Sequence, residues 1–150
     1  EKGVKHVFIS SGIRHDVALR DPEFIEKLAR KHIPGRLKAA PEHRDPRILK
    51  LMRKPRFELF EEFVKKLRSI SGGRSVPIHA YTISAFPGSR PEDMRQTDIA
   101  LSKLGVLSEQ SQAFTPTPST MATAVWHAKR TLSGEDVFVE KTDKGRRPPK

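Results

Sequence analysis

The sequence contains no cysteine among its 150 residues. Disulfide bonds and thiolate zinc sites are therefore excluded, and so is any iron–sulfur cluster held by cysteines of this chain. Long apolar runs are absent as well, because no stretch approaches the ~20 residues needed to cross a bilayer. The first residues carry neither the apolar region nor the cleavage site of a signal peptide. We therefore expect a soluble protein of the cytoplasm, with no membrane partner and no metal ligands of its own.

Several catalytic motifs are also missing. The six histidines show no HExxH or HxxxH spacing, and the chain has no Walker loop, GxSxG elbow or EF-hand pattern. These absences leave little support for a hydrolase or a zinc enzyme.

Positive charge dominates the composition. The 29 lysines and arginines against 18 acidic residues give a net charge of +11, which fits a nucleic-acid partner. The densest basic run consists of Lys38, Arg44, Arg47, Lys50, Arg53, Lys54 and Arg56. The phenylalanines at 57, 60 and 63 fall on a helical core stripe, so they are not interleaved for base stacking. A basic run of this kind is more often a solvated helix face.

Strand and helix patterns alternate along the chain. Apolar and β-branched runs predict strands at residues 7–11, 37–40, 78–86 and 111–114. Asp-Pro pairs predict helix starts at 21–22 and 45–46. Pro55 divides the second helical region, which the glycines at 72–73 end. Ser89 with Glu92 predicts a capping box for a third helix, and a short helix is expected over 120–129.

The alternation predicts an α/β fold with parallel strands and right-handed crossovers, because the connections are short. All strand ends then gather on one face of the sheet. From residue 131 onward only 137–139 looks strand-like, and the basic, proline-rich end of the chain predicts a frayed tail.

Glu42 and His43 are the first candidate site residues, because they follow the strand at 37–40 directly and precede a helix start. The carboxyl end of such a strand is where side chains leave the packed layer and meet ligands. An acid that complements a helix dipole is the structural alternative for Glu42. Ser11 and Arg14 lie in a second polar loop after a strand, where a turn and cap segment is the alternative.

Three segments of the sequence resemble those of a known protein family. LKAAPEHRDPRILKLMRKPRFELFEEF, with FISSGIRHD before it and QAFTPTPSTMATAVW after it, closely resembles the YgiQ-type radical S-adenosylmethionine (radical SAM) proteins, over most of residues 1–140. The resemblance implies the C-terminal half of a partial, TIM-like (β/α) barrel in residues 1–128. Residues 129–150 would form a C-terminal extension with a partly disordered basic tail. The half that carries the CxxxCxxC motif would be missing from this chain.

The resemblance also implies a function. The intact protein would bind S-adenosylmethionine and a 4Fe-4S cluster, whose ligands are not in this chain, and would generate a 5′-deoxyadenosyl radical. Its substrate is unknown, and the fragment alone would be inactive without its partner, the N-terminal half of the same protein. An RNA-binding or tRNA-modifying domain without independent catalysis is the alternative.

The resemblance assigns cofactor-binding residues but no catalytic residue. Glu42 would contact the ribose or methionine part of S-adenosylmethionine, with His43 as a weaker candidate. Ser11 and Arg14 are included because their loop belongs to the same expected face. Pro87-Gly88 matches the end of a Gly-x-Pro-Gly turn whose backbone meets the cofactor in related barrels. Ala85 and Phe86 depart from the family pattern at this turn.

Overall fold

The computed structural model describes residues 3–71 and 76–142. The strands are β1 (Leu37–Glu42), β2 (Ile78–Ser84) and β3 (Leu107–Ala113). The helices are α1 (His15–Ala18), α2 (Pro22–Lys27), α3 (Pro46–Leu51), α4 (Phe57–Ile70), α5 (Pro91–Lys103) and α6 (Met121–Ala128). A single π-helical turn, Leu28–His32, continues α2.

The three strands form one parallel sheet in the order β1-β2-β3. The predicted α/β class with parallel pairing is therefore confirmed. All three carboxyl ends lie at one edge of this sheet, which we call the carboxyl edge: Glu42 ends β1, Ser84 ends β2 and Ala113 ends β3. β3 begins at Leu107, earlier than the predicted start at 111.

The predicted strand at 7–11 does not form. The segment pairs with β1 only through an isolated parallel bridge between Ile13 and Ala39, where the Ile13 amide donates to the carbonyl of Lys38 at 3.2 Å. The amide of Ile9 instead donates to the carbonyl of His32, at 2.9 Å. The β-branched residues favour a strand, but the backbone at Ile9 is hydrogen-bonded to the end of the π-helical turn and not to the sheet.

The proline-marked helix starts are confirmed. Asp21 accepts a hydrogen bond from the Phe24 amide at 2.9 Å, and Asp45 accepts one from the Arg47 amide at 2.7 Å. Each aspartate satisfies an otherwise unpaired amide of the first helical turn. The second helical region is divided before Pro55, as predicted, into α3 and α4.

One face of the sheet forms the core with α4. The helix buries Phe57, Phe60, Phe63, Val64 and Leu67. They share one core with Leu37, Ala39, Ile78 and Ala80 from alternating positions of β1 and β2. The intervening side chains of β2, His79, Tyr81 and Ile83, are only half-buried, and Leu107 of β3 is 58% exposed. The two faces of the sheet are therefore covered unequally.

The segment after α6 folds back without a regular strand. Arg130 and Asp136 form an isolated antiparallel bridge, so the strand expected at 137–139 is not present. The carbonyl of Phe138 accepts a hydrogen bond from the Gly88 amide at 2.7 Å, which ties this segment to the carboxyl edge. The tail at 143–150 and the glycines at 72–73 lie outside the described residues. Within the described part, no helix has the length and apolarity to cross a membrane.

Candidate functional site at the carboxyl edge

Two neighbouring strands end in a left-handed backbone conformation. Glu42, the last residue of β1, has φ of 66°, and Ala85, directly after β2, has φ of 53°. Neither is glycine, and such conformations cost of order 1–3 kcal/mol and concentrate at functional sites. The register between β1 and β2 also shifts between Ala39 and Glu42. The carboxyl edge is thus irregular at the position where the sequence predicted a site.

The side chain of Glu42 forms an ion pair with Lys54. Nζ of Lys54 lies 3.0 Å from Oε1 of Glu42, and the two side chains are 39% and 13% exposed. Lys54 reaches this position because Arg53 takes a left-handed conformation after α3, and the Lys54 amide donates back to the carbonyl of Leu49. Lys54 follows α3 and is exposed, as the interpretation of the basic run as a solvated face predicts, but that interpretation did not predict its ion pair with Glu42.

His43 is fully buried beneath the edge. Its Nδ1 accepts the Asp45 amide at 2.9 Å, so the proton of the neutral ring lies on Nε2, which donates to Oγ of Ser89 at 3.0 Å. Burial lowers the pKa of His43 below its usual value and favours this neutral form. Both ring nitrogens form hydrogen bonds within the protein, so the buried ring stabilises, or braces, the backbone of the carboxyl edge. A contact with a cofactor would require one of these bonds to break.

Ser89 has a role that the sequence analysis missed. It is 1% exposed and bonds to His43, whereas the reciprocal cap of α5 is made one residue later, where the Arg90 amide donates to Oδ2 of Asp93 at 2.8 Å. The predicted capping box of Ser89 with Glu92 is therefore wrong. No local pattern could have found the His43–Ser89 bond, because it joins residues 46 positions apart.

The turn after β2 is tightly packed. Pro87 is buried, and Gly88 has φ of 93° with its amide committed to the carbonyl of Phe138. A Cβ at Gly88 would lie 3.0 Å from Cδ1 of Ile48. Phe86 stacks edge-on against Phe114, with ring centroids 5.2 Å apart. The backbone contact of Pro87-Gly88 with a cofactor stays a prediction, since the Gly88 amide already has a protein acceptor.

Among the described residues, no hydrogen bond or ion pair joins Ser11 or Arg14 to Glu42. Ser11 precedes Ile13, which is level with Ala39, so it lies farther from the carboxyl edge than Glu42 does. The Arg14 guanidinium makes two hydrogen bonds to the carboxylate of Asp16, at 2.8 and 2.6 Å, and holds the pKa of that carboxyl at about 2. Their assignment as cofactor ligands stays a prediction that no contact in the structure tests.

The hydroxyl-rich segment after β3 satisfies itself. The carbonyl of Thr117 accepts from the hydroxyls of Thr120, at 2.9 Å, and Thr123, at 2.7 Å. The Thr120 hydroxyl also caps α6 by accepting the Thr123 amide. These hydroxyls therefore close a turn and start a helix.

A cavity of about 810 Å³ lies beside the edge, between α3, the turn after β2, α6 and the segment at 131–138. A smaller pocket of about 210 Å³ adjoins it and includes Lys54 and Ile83. Both are lined by Leu51, Phe86 and Met121. Lys54, the partner of Glu42, thus lines the smaller pocket, which shares part of its wall with the cavity.

The described residues offer no metal centre, because no group of three or more His, Asp or Glu side chains is suitably placed there. The complete sequence also lacks cysteine. A cluster bound next to this edge would need ligands from outside the chain.

Comparison with curated proteins finds close relatives. The chain is 44% identical over 151 residues to a UPF0313 protein of Thermotoga neapolitana, covering 96% of this chain and 26% of that protein. It is 39% identical to a UPF0313 protein of Methanocella arvoryzae, covering 97% and 25%. It is 38% identical to UPF0313 protein YgiQ of Escherichia coli, covering 97% and 21%. The chain therefore spans about a quarter of the length of these relatives. Comparison with protein-family models finds no match.

Solved structures with the same fold are radical SAM enzymes. Coproporphyrinogen III oxidase (HemN) of Escherichia coli, described as a radical SAM enzyme, aligns with a TM-score of 0.59 at 15% identity, over 84% of this chain and 26% of its own. The radical S-adenosylmethionine methyltransferase TsrM of Kitasatospora setae, with cobalamin and a [4Fe-4S] cluster bound, aligns with a TM-score of 0.58 at 19% identity, over 85% and 26%. At these identities the likeness establishes the fold alone. By its sequence, the chain is similar over nearly its whole length to a segment of UPF0313 proteins, YgiQ among them, and its α/β fold is that of part of a radical SAM enzyme.

Proposed function

We propose that this chain is a segment of a cytoplasmic radical SAM enzyme and that its carboxyl edge holds S-adenosylmethionine. When bound with a 4Fe-4S cluster, this cofactor supplies a 5′-deoxyadenosyl radical, and the protein orients and shields it. The observation that carries the proposal is the carboxylate of Glu42, which pairs with Lys54 and projects from a left-handed backbone at the end of β1. The radical SAM fold of the solved neighbours supports it.

The side chains at this edge complement the polar groups of the cofactor. The Glu42 carboxylate is an acceptor for the ribose hydroxyls or the amino group of S-adenosylmethionine. The Lys54 ammonium can attract the carboxylate of the methionine part while it orients Glu42 at 3.0 Å. The His43–Ser89 bond fixes the backbone beneath Glu42 to the turn before α5. These donors and acceptors fit the cofactor, whereas nothing in this chain fits the cluster.

The proposal is tested with Glu42→Gln in the full-length protein that carries this segment. Hydrogen bonds to charged groups contribute roughly 1.5–3 kcal/mol. The dissociation constant for S-adenosylmethionine, measured by calorimetry, should therefore rise roughly tenfold or more.

Glu58→Gln provides the matched control for this substitution. Glu58 is an exposed acid in the first turn of α4, so it complements a helix dipole, and it lines neither the cavity nor the smaller pocket beside the carboxyl edge. Its substitution should leave cofactor affinity unchanged. Equal affinity in the wild type and in a correctly folded Glu42→Gln protein would show that Glu42 has only a structural role.

RNA binding is the second candidate function, favoured by exposed cations on and around α3. Arg44, Lys50, Arg53 and Arg56 are exposed, whereas Lys54 is paired with Glu42. The neighbouring phenylalanines of α4 are in the core and cannot stack on bases. Filter binding of tRNA at increasing salt tests this candidate. Loss of affinity in Arg44→Gln and Arg56→Gln, with a shallower salt dependence, would support it.

A further inference from the structure

The cavity beside the carboxyl edge has an apolar floor. Ile48, Phe86 and Val125 are 1%, 6% and 6% exposed and line it from α3, the turn after β2 and α6. Its volume of about 810 Å³ falls within the range of about 300–1,000 Å³ that is usual for small-molecule sites. A ligand with an apolar body would therefore find both space and contact.

The wall formed by residues 131–138 is held in place by backbone hydrogen bonds. The Thr131 amide donates to the carbonyl of Glu135 at 2.8 Å, and the Gly134 amide donates to the carbonyl of Thr131 at 3.0 Å. The Gly88 amide then fastens the segment to the turn after β2 through the carbonyl of Phe138. The cavity is thus a half-open cleft of the fold, and specific hydrogen bonds hold this wall in place.

The rim of the cavity carries an excess of positive charge. Four cationic residues line it, Arg47, Lys50, Arg53 and Arg90, against the carboxylates of Glu135 and Asp136. Arg47 is paired with Asp45 at 2.6 Å, and Asp136 is paired with Arg130 at 3.0 Å. Among the described residues, no carboxylate forms an ion pair with the other three cations, which leaves three positive charges against the one carboxylate of Glu135.

Two of these three cations are already positioned over the apolar surface. The Arg90 guanidinium lies over the Phe138 ring, 5.2 Å from its centroid, and Nη2 of Arg53 lies 3.5 Å from Sδ of Met121. These contacts hold the two guanidinium groups beside the cavity but do not pair their positive charges with a carboxylate. Arginine in this setting is suited to bidentate binding of carboxylate or phosphate.

We propose that this cavity is the substrate site of the enzyme, and that its substrate is a small molecule with an apolar body and a carboxylate or phosphate group. The proposal rests on the proposed function, because it places the substrate next to the cofactor edge. The adjoining pocket at Lys54 shares Leu51, Phe86 and Met121 with the cavity, so a ligand there would border the Glu42–Lys54 pair. The apolar floor receives the body, and Lys50, Arg53 and Arg90 bind the anion.

The test uses 1-naphthyl phosphate as the probe, with calorimetry on the full-length protein in the absence of S-adenosylmethionine. The probe should bind at least tenfold more tightly than 1-naphthol or inorganic phosphate, because each of these offers only half of the interaction. Arg90→Gln should weaken binding of the probe at least fivefold and leave 1-naphthol unaffected. Ala122→Phe, which fills the cavity from α6, should abolish binding of both.

Arg20→Gln is the control, because Arg20 is exposed and does not line the cavity, while the charge change is the same. Equal loss in Arg90→Gln and Arg20→Gln would overturn the proposal, as would inorganic phosphate binding as well as the probe. Glu42→Gln should change cofactor affinity and not probe affinity, so the two proposals fail separately. Probe binding to a protein that never binds S-adenosylmethionine would overturn the substrate role.

Discussion

The ammonium of Lys54 lies 3.0 Å from Oε1 of Glu42 and so joins the break between α3 and α4 to the end of β1. Glu42 is held in a left-handed conformation, and its carboxylate is oriented before any ligand arrives. An acceptor fixed in this way loses little freedom on binding, which favours affinity.

Replacing Lys54 should affect the cofactor more than the fold. The sequence predicts only a solvated cation at this position, whereas the structure pairs it with the candidate ligand Glu42. Lys54→Met should weaken S-adenosylmethionine binding by about three- to tenfold, the equivalent of about 0.7–1.4 kcal/mol. The free energy of unfolding should change by less than ~1 kcal/mol, because the pair is partly exposed. Lys65→Met, on the exposed side of α4, is the control. Unchanged cofactor affinity would make the pair incidental.

Replacing His43 should destabilise the protein. His43→Ala removes a fully buried ring and leaves the Ser89 hydroxyl and the Asp45 amide without their partner. We expect a loss of about 2–4 kcal/mol in the free energy of unfolding, measured by urea denaturation. His127→Ala, at an exposed position of α6, should have almost no effect. A loss below ~1 kcal/mol for His43→Ala would contradict the bracing role.

Stability should fall on acidification in two separate ranges. Burial lowers the pKa of both His43 and His15 from the usual 6.5. As pH falls, the unfolded chain therefore takes up protons on these two histidines before the folded chain does. The stability that the neutral histidines contribute is complete above about pH 6.5 and is lost as pH falls toward their lowered folded pKa values. Asp16, whose pKa the Arg14 hydrogen bond lowers from 3.8 to about 2, adds stability that is lost only between those values. Thermal melting between pH 8 and about 2 checks this, and a constant Tm from about pH 7 to about pH 5 would refute the histidine contribution.

Gly88 should tolerate no side chain. Gly88→Ala forces a methyl group to within 3.0 Å of Cδ1 of Ile48 and 3.3 Å of Cδ1 of Leu51, at a φ of 93° that L residues rarely adopt. We expect a loss of ~1–3 kcal/mol in the free energy of unfolding. Gly12→Ala is the matched control, because nothing lies within 4 Å of its added Cβ and its φ is unrestrictive. Equal stability of the two variants would show that the turn after β2 can relax.

The chain alone should not assemble an iron–sulfur cluster. Thiolates are the usual cluster ligands, and the sequence has none. Anaerobic treatment of residues 1–150 with iron and sulfide should give no stoichiometric absorption of a cluster, whereas the full-length protein should give it. A stoichiometric cluster on the chain alone, or none on a full-length protein that is folded, would count against the radical SAM proposal.

Local chemistry in the sequence determined the helix starts and the alternation that produces a parallel sheet. Asp21-Pro22 and Asp45-Pro46 satisfy free amides and preset φ within one turn, so no distant residue is needed. The order of strands follows from short connections between alternating elements. The position of Glu42 at the end of β1 follows from the same pattern, and the sequence around it carries the resemblance to YgiQ-type proteins.

The tertiary structure alone decided which of these residues meet. Strand propensity at 7–11 did not produce a strand, because the Ile9 amide found the carbonyl of His32. Lys54 reached Glu42 through a left-handed turn at Arg53, and His43 reached Ser89 across 46 residues. Contacts between residues far apart in sequence depend on how elements pack and leave no local periodicity. The cationic cavity is of the same kind, because α3, α6 and the segment at 131–138 each supply only part of its wall.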